Sequence, residues 1–403
     1  MTHLPKIGRR GLLLGLTAMA ATARARLALA DTPPGTLATD NRLVVVILRG
    51  AMDGMAALAP YGDASYRALR GSLALPEPGQ EGGLLDCGGF FGLNPNLTTL
   101  HSLFRAGELL PIHAIAGPYR NRSHFEAQDL LESGAVERSG LTSGWLNRAL
   151  TGLPARQAGQ PEAGLAVGLS LPLLMQGPQR VGMWAPPRGA RPAPDLYARM
   201  ADLLHADPLL GPDVADGLRS RGYANSVLTE EKGQRGGGFV ALAGVAGKLL
   251  AAADGPRVAA LELGGWDTHA AQTQRLNPVL TQLDAGLNAL RAQLAGGWQR
   301  TAVLVMTEFG RTARVNGNNG TDHGTGGVAF VLGGAVSGGR VLADWPGLAE
   351  DRLFEARDLQ PTRDLRAIAK ALLKDHLRLQ PAAIAAAFPG SDDVVPERGI
   401  LRL

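Results

Sequence analysis

The sequence has only one cysteine, Cys87, so no intramolecular disulfide can form. A single thiolate cannot build a cysteine-based metal centre either, and any bound metal must have histidine, aspartate or glutamate ligands. Aromatic residues make up only 5% of the 403 residues, and no stretch after the N-terminal segment reaches 18 consecutive apolar residues. Because a membrane-spanning helix needs about 20 apolar residues, we expect no transmembrane anchor in the mature chain.

A strong excess of one charge is also missing. The chain has 40 Lys and Arg residues against 36 Asp and Glu residues, and residues 1–30 hold five of the basic ones and no acidic one. The remaining chain therefore has 35 basic and 36 acidic residues, a net charge of −1. Such a balance does not attract polyanions, so we expect no nucleic-acid partner.

The first 30 residues have the pattern of an export signal. Arg9 and Arg10 precede a short apolar run over residues 11–23, and residues 28–30 (Ala-Leu-Ala) offer a small-x-small cleavage site. Paired arginines before a moderately apolar run favour the twin-arginine route. We therefore predict a twin-arginine signal peptide over residues 1–30 and a periplasmic or secreted mature protein. The alternative is a cytoplasmic chain with an amphipathic N-terminus.

Short, almost continuous apolar runs alternate with helical patterns along the rest of the chain. Such runs are typical of strands buried on both faces of a parallel sheet. Apolar residues at three- and four-residue steps predict a helix over residues 270–294, and a second helix is predicted over 365–379. We predict a single α/β domain over residues 31–403 with a mostly parallel central sheet, and a Pro/Gly-rich insertion over residues 152–240. The predicted strands are Leu43–Leu48, Leu109–Ala116, Val258–Leu263, Ala302–Met306 and Val328–Leu332.

Chemically capable side chains cluster at the ends of these strands. In an open α/β sheet the ligand binds beyond the carboxyl ends of the strands, so we expect these residues to converge on one rim. The last pair precedes its strand and reaches that rim only if this strand is antiparallel or the loop is long. The candidates are Asp53 after the first strand, Ser123 and His124 after the second, Asp267 and His269 after the third, Glu308 after the fourth, and Asp322 and His323 before the fifth.

The donor types in this group point to a metal site. Imidazole and carboxylate donors without thiolate suit zinc, manganese or iron, whereas an all-oxygen set would favour calcium or magnesium. Asp267 and His269 are two residues apart and would face the same side of an extended strand end. We predict one or two divalent ions, with zinc favoured and manganese, calcium or magnesium as alternatives. The predicted metal ligands are Asp53, Asp267, His269, Glu308, Asp322 and His323.

Three arginines flank the acidic candidates. A guanidinium group can donate two parallel hydrogen bonds to a phosphate or sulfate. We predict that Arg49 and Arg122 bind an anion and that Arg311 belongs to the catalytic group together with Ser123 and His124.

Ordinary structural roles compete with these assignments. Asp53 precedes a glycine and can mark a turn, and Ser123 with Glu126 three residues later forms the pattern of a helix capping box. Capping and catalysis are compatible, because a helix N-terminus favours an alkoxide and an incoming anion. Glu308 can instead form a surface ion pair with Arg311. Outside this group, His101, His113 and His376 have no partner at ligand spacing, and we expect structural roles for them.

Other catalytic patterns are missing from the sequence. No Gly-x-Ser-x-Gly elbow occurs, which disfavours a serine acyl hydrolase, and no phosphate-binding glycine pattern follows the first strand. The competing enzyme class, an esterase or lipase, therefore lacks its sequence signature.

The ordered motifs resemble the exported bacterial family catalogued as domain of unknown function 1501. That family is grouped with the alkaline-phosphatase-like superfamily of phosphatases, sulfatases and phosphomutases. The resemblance implies a three-layer α/β/α sandwich more firmly than it implies a reaction. The matching segments are the twin-arginine leader, residues 48–54 (LRGAMDG), 123–125 (SHF), 144–148 (GWLNR), 265–269 (GWDTH), 308–312 (EFGRT) and 320–324 (GTDHG).

The same resemblance implies roles for individual residues. Asp53 resembles the carboxylate that opens one metal site, and Ser123 resembles the Ser/Thr nucleophile. Asp267 and His269 resemble the Asp-x-x-x-His pair of the other metal, at a shorter spacing. His323 resembles the late histidine of the superfamily.

One position departs from the superfamily pattern. Glu308 lies where an Asp-His pair usually ends a strand, and Phe309 stands in place of the histidine. One metal site is therefore short of a ligand unless Asp322 or His124 supplies it. From the resemblance we expect an exported, metal-dependent hydrolase that attacks phosphate or sulfate esters through Ser123, with a small anionic or glycan-type substrate. The alternative is a non-catalytic metal- or ligand-binding protein of the cell envelope on the same fold.

Overall fold

The structure, a computed structural model, describes residues 40–137, 140–157, 160–186, 210–228 and 238–402, together with residues 199, 203, 204 and 207. The predicted signal peptide and its cleavage site lie outside the described residues. None of the helices in these ranges is long and apolar enough to span a bilayer.

The apolar runs of the sequence form the strands of a central sheet. All five predicted strands are present, and several further strands were not predicted because they are only two to four residues long. The strands are β1 (Arg42–Arg49), β2 (Leu58–Ala59), β3 (Leu85–Asp86), β4 (Gly92–Leu93), β5 (Leu109–Ala116), β6 (Gly164–Val167), β7 (Val181–Trp184), β8 (Val258–Gly264), β9 (Thr301–Thr307), β10 (Gly327–Leu332) and β11 (Arg363–Asp364).

Eight of these strands form one sheet in the order β11-β5-β10-β9-β1-β8-β6-β7. β10 is antiparallel to both of its neighbours, whereas all the other pairs in this sheet are parallel. In the centre, Val45 of β1 is in register with Ala260 of β8 and Leu304 of β9. The prediction of a mostly parallel sheet is confirmed. The reversed β10 also means that the residues before it start at the rim where the other strands end.

Helices cover the sheet. They are α1 (Gly54–Ala57), α2 (Tyr66–Arg70), α3 (Thr98–Arg105), α4 (His124–Ser133), α5 (Trp145–Ala149), α6 (Leu210–Val227), α7 (Phe239–Ala251), α8 (Gln272–Leu294), α9 (Leu365–Ala371) and α10 (Pro381–Ala387).

Alternate side chains of β1 enter two separate hydrophobic clusters, one on each face of the sheet. Val44 and Val46 lie in a cluster with residues of α3, α7 and α8. Val45 and Ile47 lie in a cluster with residues of α5, α9 and α10. The two clusters are the interiors of an α/β/α sandwich, and the predicted fold class is confirmed. Full burial of each aliphatic side chain contributes about 1.5–3 kcal/mol, so the two clusters account for much of the scaffold's stability.

Two predicted helices have different ends in the structure. The helix predicted over 270–294 begins at Gln272, because Ala271 has a left-handed backbone with φ of 48°. The helix predicted over 365–379 ends at Ala371 and continues as a π-helical turn, Leu372–His376. After this wider turn, His376 Nε2 donates a hydrogen bond to the carbonyl oxygen of Arg42 at 2.8 Å.

The Pro/Gly-rich region contributes to the sheet itself. β6 and β7 both lie within residues 152–240 and extend the sheet beyond β8 as parallel strands. α6 belongs to the same region.

Candidate metal centre

Four side-chain atoms converge at the carboxyl-end rim of the sheet, and we call them the donor cluster. They are Oδ1 of Asp267 and the Nε2 atoms of His124, His269 and His323. Asp267 and His269 follow β8, His124 is the first residue of α4 after β5, and His323 precedes β10. The cluster thus combines three separate parts of the chain, and the reversed strand brings His323 to the rim.

The distances within the donor cluster suit a small cation. Asp267 Oδ1 lies 3.0 Å from His269 Nε2, 3.4 Å from His323 Nε2 and 3.6 Å from His124 Nε2. His269 Nε2 lies 3.0 Å from His323 Nε2. Ligand atoms of His124, Asp267 and His323 all lie within 4.8 Å of one another. Ligands around a tetrahedral zinc ion at about 2.0–2.1 Å would be about 3.3–3.4 Å apart, which is close to the separations of Asp267 Oδ1 from the three rings.

Each imidazole of the cluster is oriented by a hydrogen bond from its other nitrogen. His124 Nδ1 donates to Glu308 Oε1 at 2.8 Å, and His269 Nδ1 donates to Asp322 Oδ1 at 3.0 Å. His323 Nδ1 donates to the backbone carbonyl oxygen of Arg122 at 2.9 Å. Because these oxygens are acceptors, the proton of each neutral ring sits on Nδ1 and the Nε2 lone pair is left for a metal. Metal-bound histidines are held in this way by carboxylates and carbonyls.

One atom of the cluster is an orphan. Nε2 of His124 is buried and has no hydrogen-bond partner. Burying a polar atom without a hydrogen-bond partner costs free energy, and a metal ion bound to this nitrogen would remove that cost. The chemistry of the donor set, three imidazole nitrogens and one carboxylate oxygen, therefore fits a divalent ion such as zinc.

The electrostatic environment keeps Asp267 and His323 in their metal-binding states. Burial raises the pKa of Asp267, but the hydrogen bond and charge of Arg311 outweigh burial and hold that pKa below its ordinary value. Burial and the neighbouring His124 ring lower the pKa of His323. The hydrogen bond to Glu308 raises the pKa of His124 against the effect of burial. Asp267 is thus ionised and His323 is neutral near pH 7.

The supporting carboxylates are also held in the ionised form. Burial raises the pKa of Glu308, but hydrogen bonds from His124, Gln128 and the Gly50 amide bring it below the ordinary value. For Asp322, the hydrogen bond from His269 is the main cause of a lowered pKa. Ionised acceptors at both positions fix the Nδ1–H tautomers of His124 and His269.

A family comparison places the chain among known sequences. The family model described as a protein of unknown function (DUF1501) matches residues 114–388, about two-thirds of the chain. The chain belongs to the DUF1501 family. The match confirms the resemblance drawn from the motifs, and it includes all residues of the donor cluster. No curated protein matches the chain.

Three solved structures are similar to this DUF1501 member. Ps i-CgsB, solved in complex with k-i-k-neocarrahexaose, is 12% identical, with a TM-score of 0.36 over 76% of this chain and 69% of that one. A protein in the alkaline phosphatase superfamily from Vibrio parahaemolyticus is 12% identical, with a TM-score of 0.33 over 86% and 68%. The lipoteichoic acid synthase LtaP from Listeria monocytogenes is 8% identical, with a TM-score of 0.33 over 79% and 70%.

Arg311 connects the donor cluster of this DUF1501 member to several loops through hydrogen bonds. Its buried guanidinium binds Asp267 Oδ1 at 2.5 Å. It also donates to the carbonyl oxygens of Gly50, Ala51 and Thr321 at 2.6–2.9 Å. The side chain therefore joins the loops that follow β1, β8 and β9 and holds the one carboxylate of the cluster. The alternative of a surface ion pair required Arg311 to contact Glu308, but Arg311 contacts Asp267 and backbone carbonyl oxygens instead.

Asp53 lies outside the donor cluster. It is fully buried at the N-terminus of α1, where it accepts a hydrogen bond from the Ala56 amide. Its other oxygen is bound by Arg70 at 2.5 Å, by Gln272 at 2.6 Å and by the Thr321 hydroxyl at 3.3 Å. The arginine charge outweighs burial and lowers the pKa of Asp53. Both oxygens of Asp53 are thus used within the protein.

The two arginines predicted to bind an anion are paired with carboxylates. Arg49 contacts Glu132 at 2.7 Å and also Glu262.

Arg122 contacts Asp358 at 2.8 Å and Glu355 at 2.5 Å, and its carbonyl oxygen orients His323. These pairs neutralise both guanidinium groups in this structure.

Ser123 lies at the N-cap position of α4 but makes no side-chain capping bond. Glu126, the other half of the predicted capping box, accepts a hydrogen bond from the Tyr119 hydroxyl at 2.6 Å. The capping-box interpretation is therefore wrong, because the Ser123 hydroxyl makes no hydrogen bond to the amides of the first helical turn.

Two supporting residues, Gln128 and Asn316, were not predicted from the sequence. Gln128 holds Glu308 from one turn after His124, a spacing that places both on one helix face. Asn316 donates to both Asp322 and the His269 carbonyl oxygen at 3.0 Å.

Phe309, which stands where a ligand was expected, instead packs its ring 5.0 Å from His124 and 5.1 Å from His323. Only the spacing of Gln128 is visible in the sequence.

Proposed function

We propose that the mature chain is an exported hydrolase of phosphate or sulfate esters that requires one divalent metal ion. The observation that carries the proposal is the donor cluster, in which Asp267 Oδ1 lies 3.0–3.6 Å from three Nε2 atoms and His269 Nε2 lies 3.0 Å from His323 Nε2. Every Nδ1 of these rings is hydrogen-bonded elsewhere. Export is proposed from the pattern of residues 1–30.

The donor set favours zinc. Three imidazoles and one carboxylate suit zinc, whereas calcium and magnesium prefer oxygen-only shells. Asp53 and Glu308, predicted for a second ion, have their oxygens engaged in hydrogen bonds, so we propose a single ion. When bound, such an ion acts as a Lewis acid that polarises the ester oxygen and lowers the pKa of a coordinated hydroxyl or water.

The chain's own residues supply orientation and the nucleophile. Arg311 fixes Asp267, while Glu308 and Asp322 fix the rings of His124 and His269. Ser123, directly before His124 at the N-terminus of a ten-residue helix, is the proposed nucleophile. The positive end of that helix favours an alkoxide at this position. Overall, water adds its hydroxyl to phosphorus or sulfur and its proton to the departing alcohol.

Metal content and turnover of the purified mature protein test the proposal. We expect about one zinc per chain by elemental analysis of protein prepared without chelator, and hydrolysis of aryl phosphates or sulfates. Ser123→Ala should abolish turnover and retain the metal. Metal-free protein that stays inactive after reconstitution with zinc, manganese, calcium and magnesium would remove the catalytic claim.

A second candidate is a non-catalytic metal-binding protein on the same fold. The pairing of Arg49 and Arg122 with carboxylates favours it, because neither guanidinium is left to neutralise an anionic substrate. In that case metal binds at the donor cluster, no ester is hydrolysed, and Ser123→Ala changes neither metal content nor ligand binding.

A further inference from the structure

A cavity of about 410 Å³ lies beside the donor cluster. It is bounded by α2 and by residues 312–322 and 348–357. Its lining is partly apolar, and Asp322 and Arg357 belong to the polar part of the lining. The apolar side chains are Leu69, Val315, Leu348 and Leu353. The volume lies within the range of about 300–1,000 Å³ that is typical of small-molecule sites.

Two residues of the cavity wall also hold the histidines of the cluster. Asp322 accepts the Nδ1 hydrogen of His269 at 3.0 Å, and Arg357 donates to the carbonyl oxygen of His323 at 3.0 Å. Asp322 and Arg357 therefore belong both to the cavity wall and to the support of the donor cluster.

The open side of the donor cluster is the side that carries Asp322. The side chains of Asp267, His269 and Asp322 are 42–50% exposed, whereas those of His124 and His323 are 23–25% exposed. A ligand that reaches the cluster from solvent passes these exposed side chains, and one of them, Asp322, also lines the cavity.

We propose that this cavity binds the alcohol part of the ester, and that this part is an uncharged, apolar or aromatic group. The proposal rests on the proposed hydrolase function. The wall carries two cationic side chains, Arg314 and Arg357, and two anionic ones, Asp322 and Glu350, so it has no net charge that would select an ionic alcohol. The apolar side chains of the lining favour an alcohol that carries an aromatic ring or a short hydrocarbon chain. No atom changes its oxidation state in this reaction. The bond between phosphorus or sulfur and the alcohol oxygen breaks, the hydroxyl of water binds to phosphorus or sulfur, and the proton of water leaves with the alcohol.

Direct binding of a product-like alcohol tests the cavity without any turnover. The probe is 1-naphthol, titrated by fluorescence against chelator-treated protein that remains folded by circular dichroism. We expect saturable binding of one naphthol per chain. Ala68→Trp, at an exposed position of α2 in the cavity wall, should weaken this binding about tenfold or more. The matched control is Ala385→Trp, at an exposed position of α10 that does not line the cavity, and it should leave binding unchanged.

A second variant and a substrate pair complete the test. Leu353→Ala, which removes part of the apolar wall, should also weaken naphthol binding. In both cavity variants, the ratio of kcat/KM for 1-naphthyl phosphate to that for methyl phosphate should fall about tenfold. Naphthol binding without any turnover would count against the hydrolase and leave the cavity as a binding site. Turnover with an unchanged substrate ratio, or naphthol binding unaffected by both variants, would overturn the cavity proposal.

Discussion

The Nε2 atoms of His269 and His323 lie 3.0 Å apart, while both rings donate their Nδ1 hydrogens to other oxygens. Two bare lone pairs at this distance repel each other. A cation between them, either a proton or a metal ion, removes the repulsion. Near pH 7 the lowered pKa of His323 works against the proton on that ring and favours the metal.

Zinc should therefore stabilise the folded protein. At a free zinc concentration about one hundred times the Kd, the expected gain in the free energy of unfolding is about 2.7 kcal/mol. His323→Ala removes one ligand and should abolish this gain, whereas His101→Ala, at a half-buried position outside the cluster, should preserve it. Thermal melts with chelator and with zinc measure the difference. An equal zinc effect in both variants would contradict the assignment of His323 as a ligand.

Glu308→Gln should weaken metal binding without removing any ligand. The substitution removes the ionised acceptor that holds the His124 tautomer, and loss of such a supporting group typically costs about 10–100-fold in metal affinity. Competition with a fluorescent zinc chelator measures the affinity. Glu77→Gln, at an exposed glutamate paired only with Arg67, is the matched control and should retain wild-type affinity.

The buried pair Asp53–Arg70 should matter far more for stability than the exposed pair Glu77–Arg67. Arg70→Ala leaves a fully buried carboxylate without its counter-ion and should cost about 3–5 kcal/mol in the free energy of unfolding. Arg67→Ala, on the same helix, should cost less than about 1 kcal/mol. Urea denaturation measures both values.

Asp53→Asn separates this structural role from the predicted metal role. We expect an unchanged number of metal ions per chain, because both Asp53 oxygens are already hydrogen-bonded within the protein. Loss of one ion per folded chain in elemental analysis would show that Asp53 is a ligand.

Two buried histidines should make the protein less stable in mild acid. Burial lowers the pKa of both His113 and His376 to about 4. Between pH 6.5 and about 4 the unfolded chain binds a proton at each position and the folded chain does not, so stability falls as the pH falls. The loss is about 1.4 kcal/mol per pH unit for each histidine over this window.

Urea denaturation at pH 7.5 and pH 5.0 tests this pH dependence. His376→Gln, which can keep a hydrogen-bond donor for Arg42, should show a smaller loss of stability than the wild type between these pH values. His101→Gln, at a half-buried histidine, should show the wild-type loss. If His376→Gln lost as much stability as the wild type between these pH values, the assignment of His376 as a neutral buried imidazole would be contradicted.

The sequence predicts the central sheet well because each buried strand is a nearly continuous apolar run, as in β1 and β5. It does not reveal β11, whose two residues, Arg363 and Asp364, carry no apolar pattern. Of the two ways in which His323 could reach the rim, an antiparallel strand or a long loop, the structure has the antiparallel strand, β10.

The candidate site could be predicted less completely than the fold. Residue type and position after a strand suffice to locate Asp267 and His269, but they cannot distinguish a donor from its support. Glu308 and Asp322 contact the Nδ1 atoms of their histidines and therefore support the rings, whereas a metal ligand would lie beside the Nε2 atoms. Side-chain packing decides which of the two places a carboxylate takes. Asp53 looked equivalent in the sequence, and only the distant Arg70 and Gln272 set it apart.

The segment between β9 and β10 acts as a brace across the rim. Its tip accepts hydrogen bonds at the carbonyl oxygens of Asn318 and Asn319 from the amides of Ala271 and Gln272, at the start of α8. β10 and β8 are not neighbours, since β9 and β1 lie between them, a span of about 14 Å at the usual strand spacing. Propeller-like twisting of the sheet would pull the two ends of this span apart. These hydrogen bonds couple the two ends, so we expect the imidazoles of His269 and His323 to keep their relative positions when the sheet flexes.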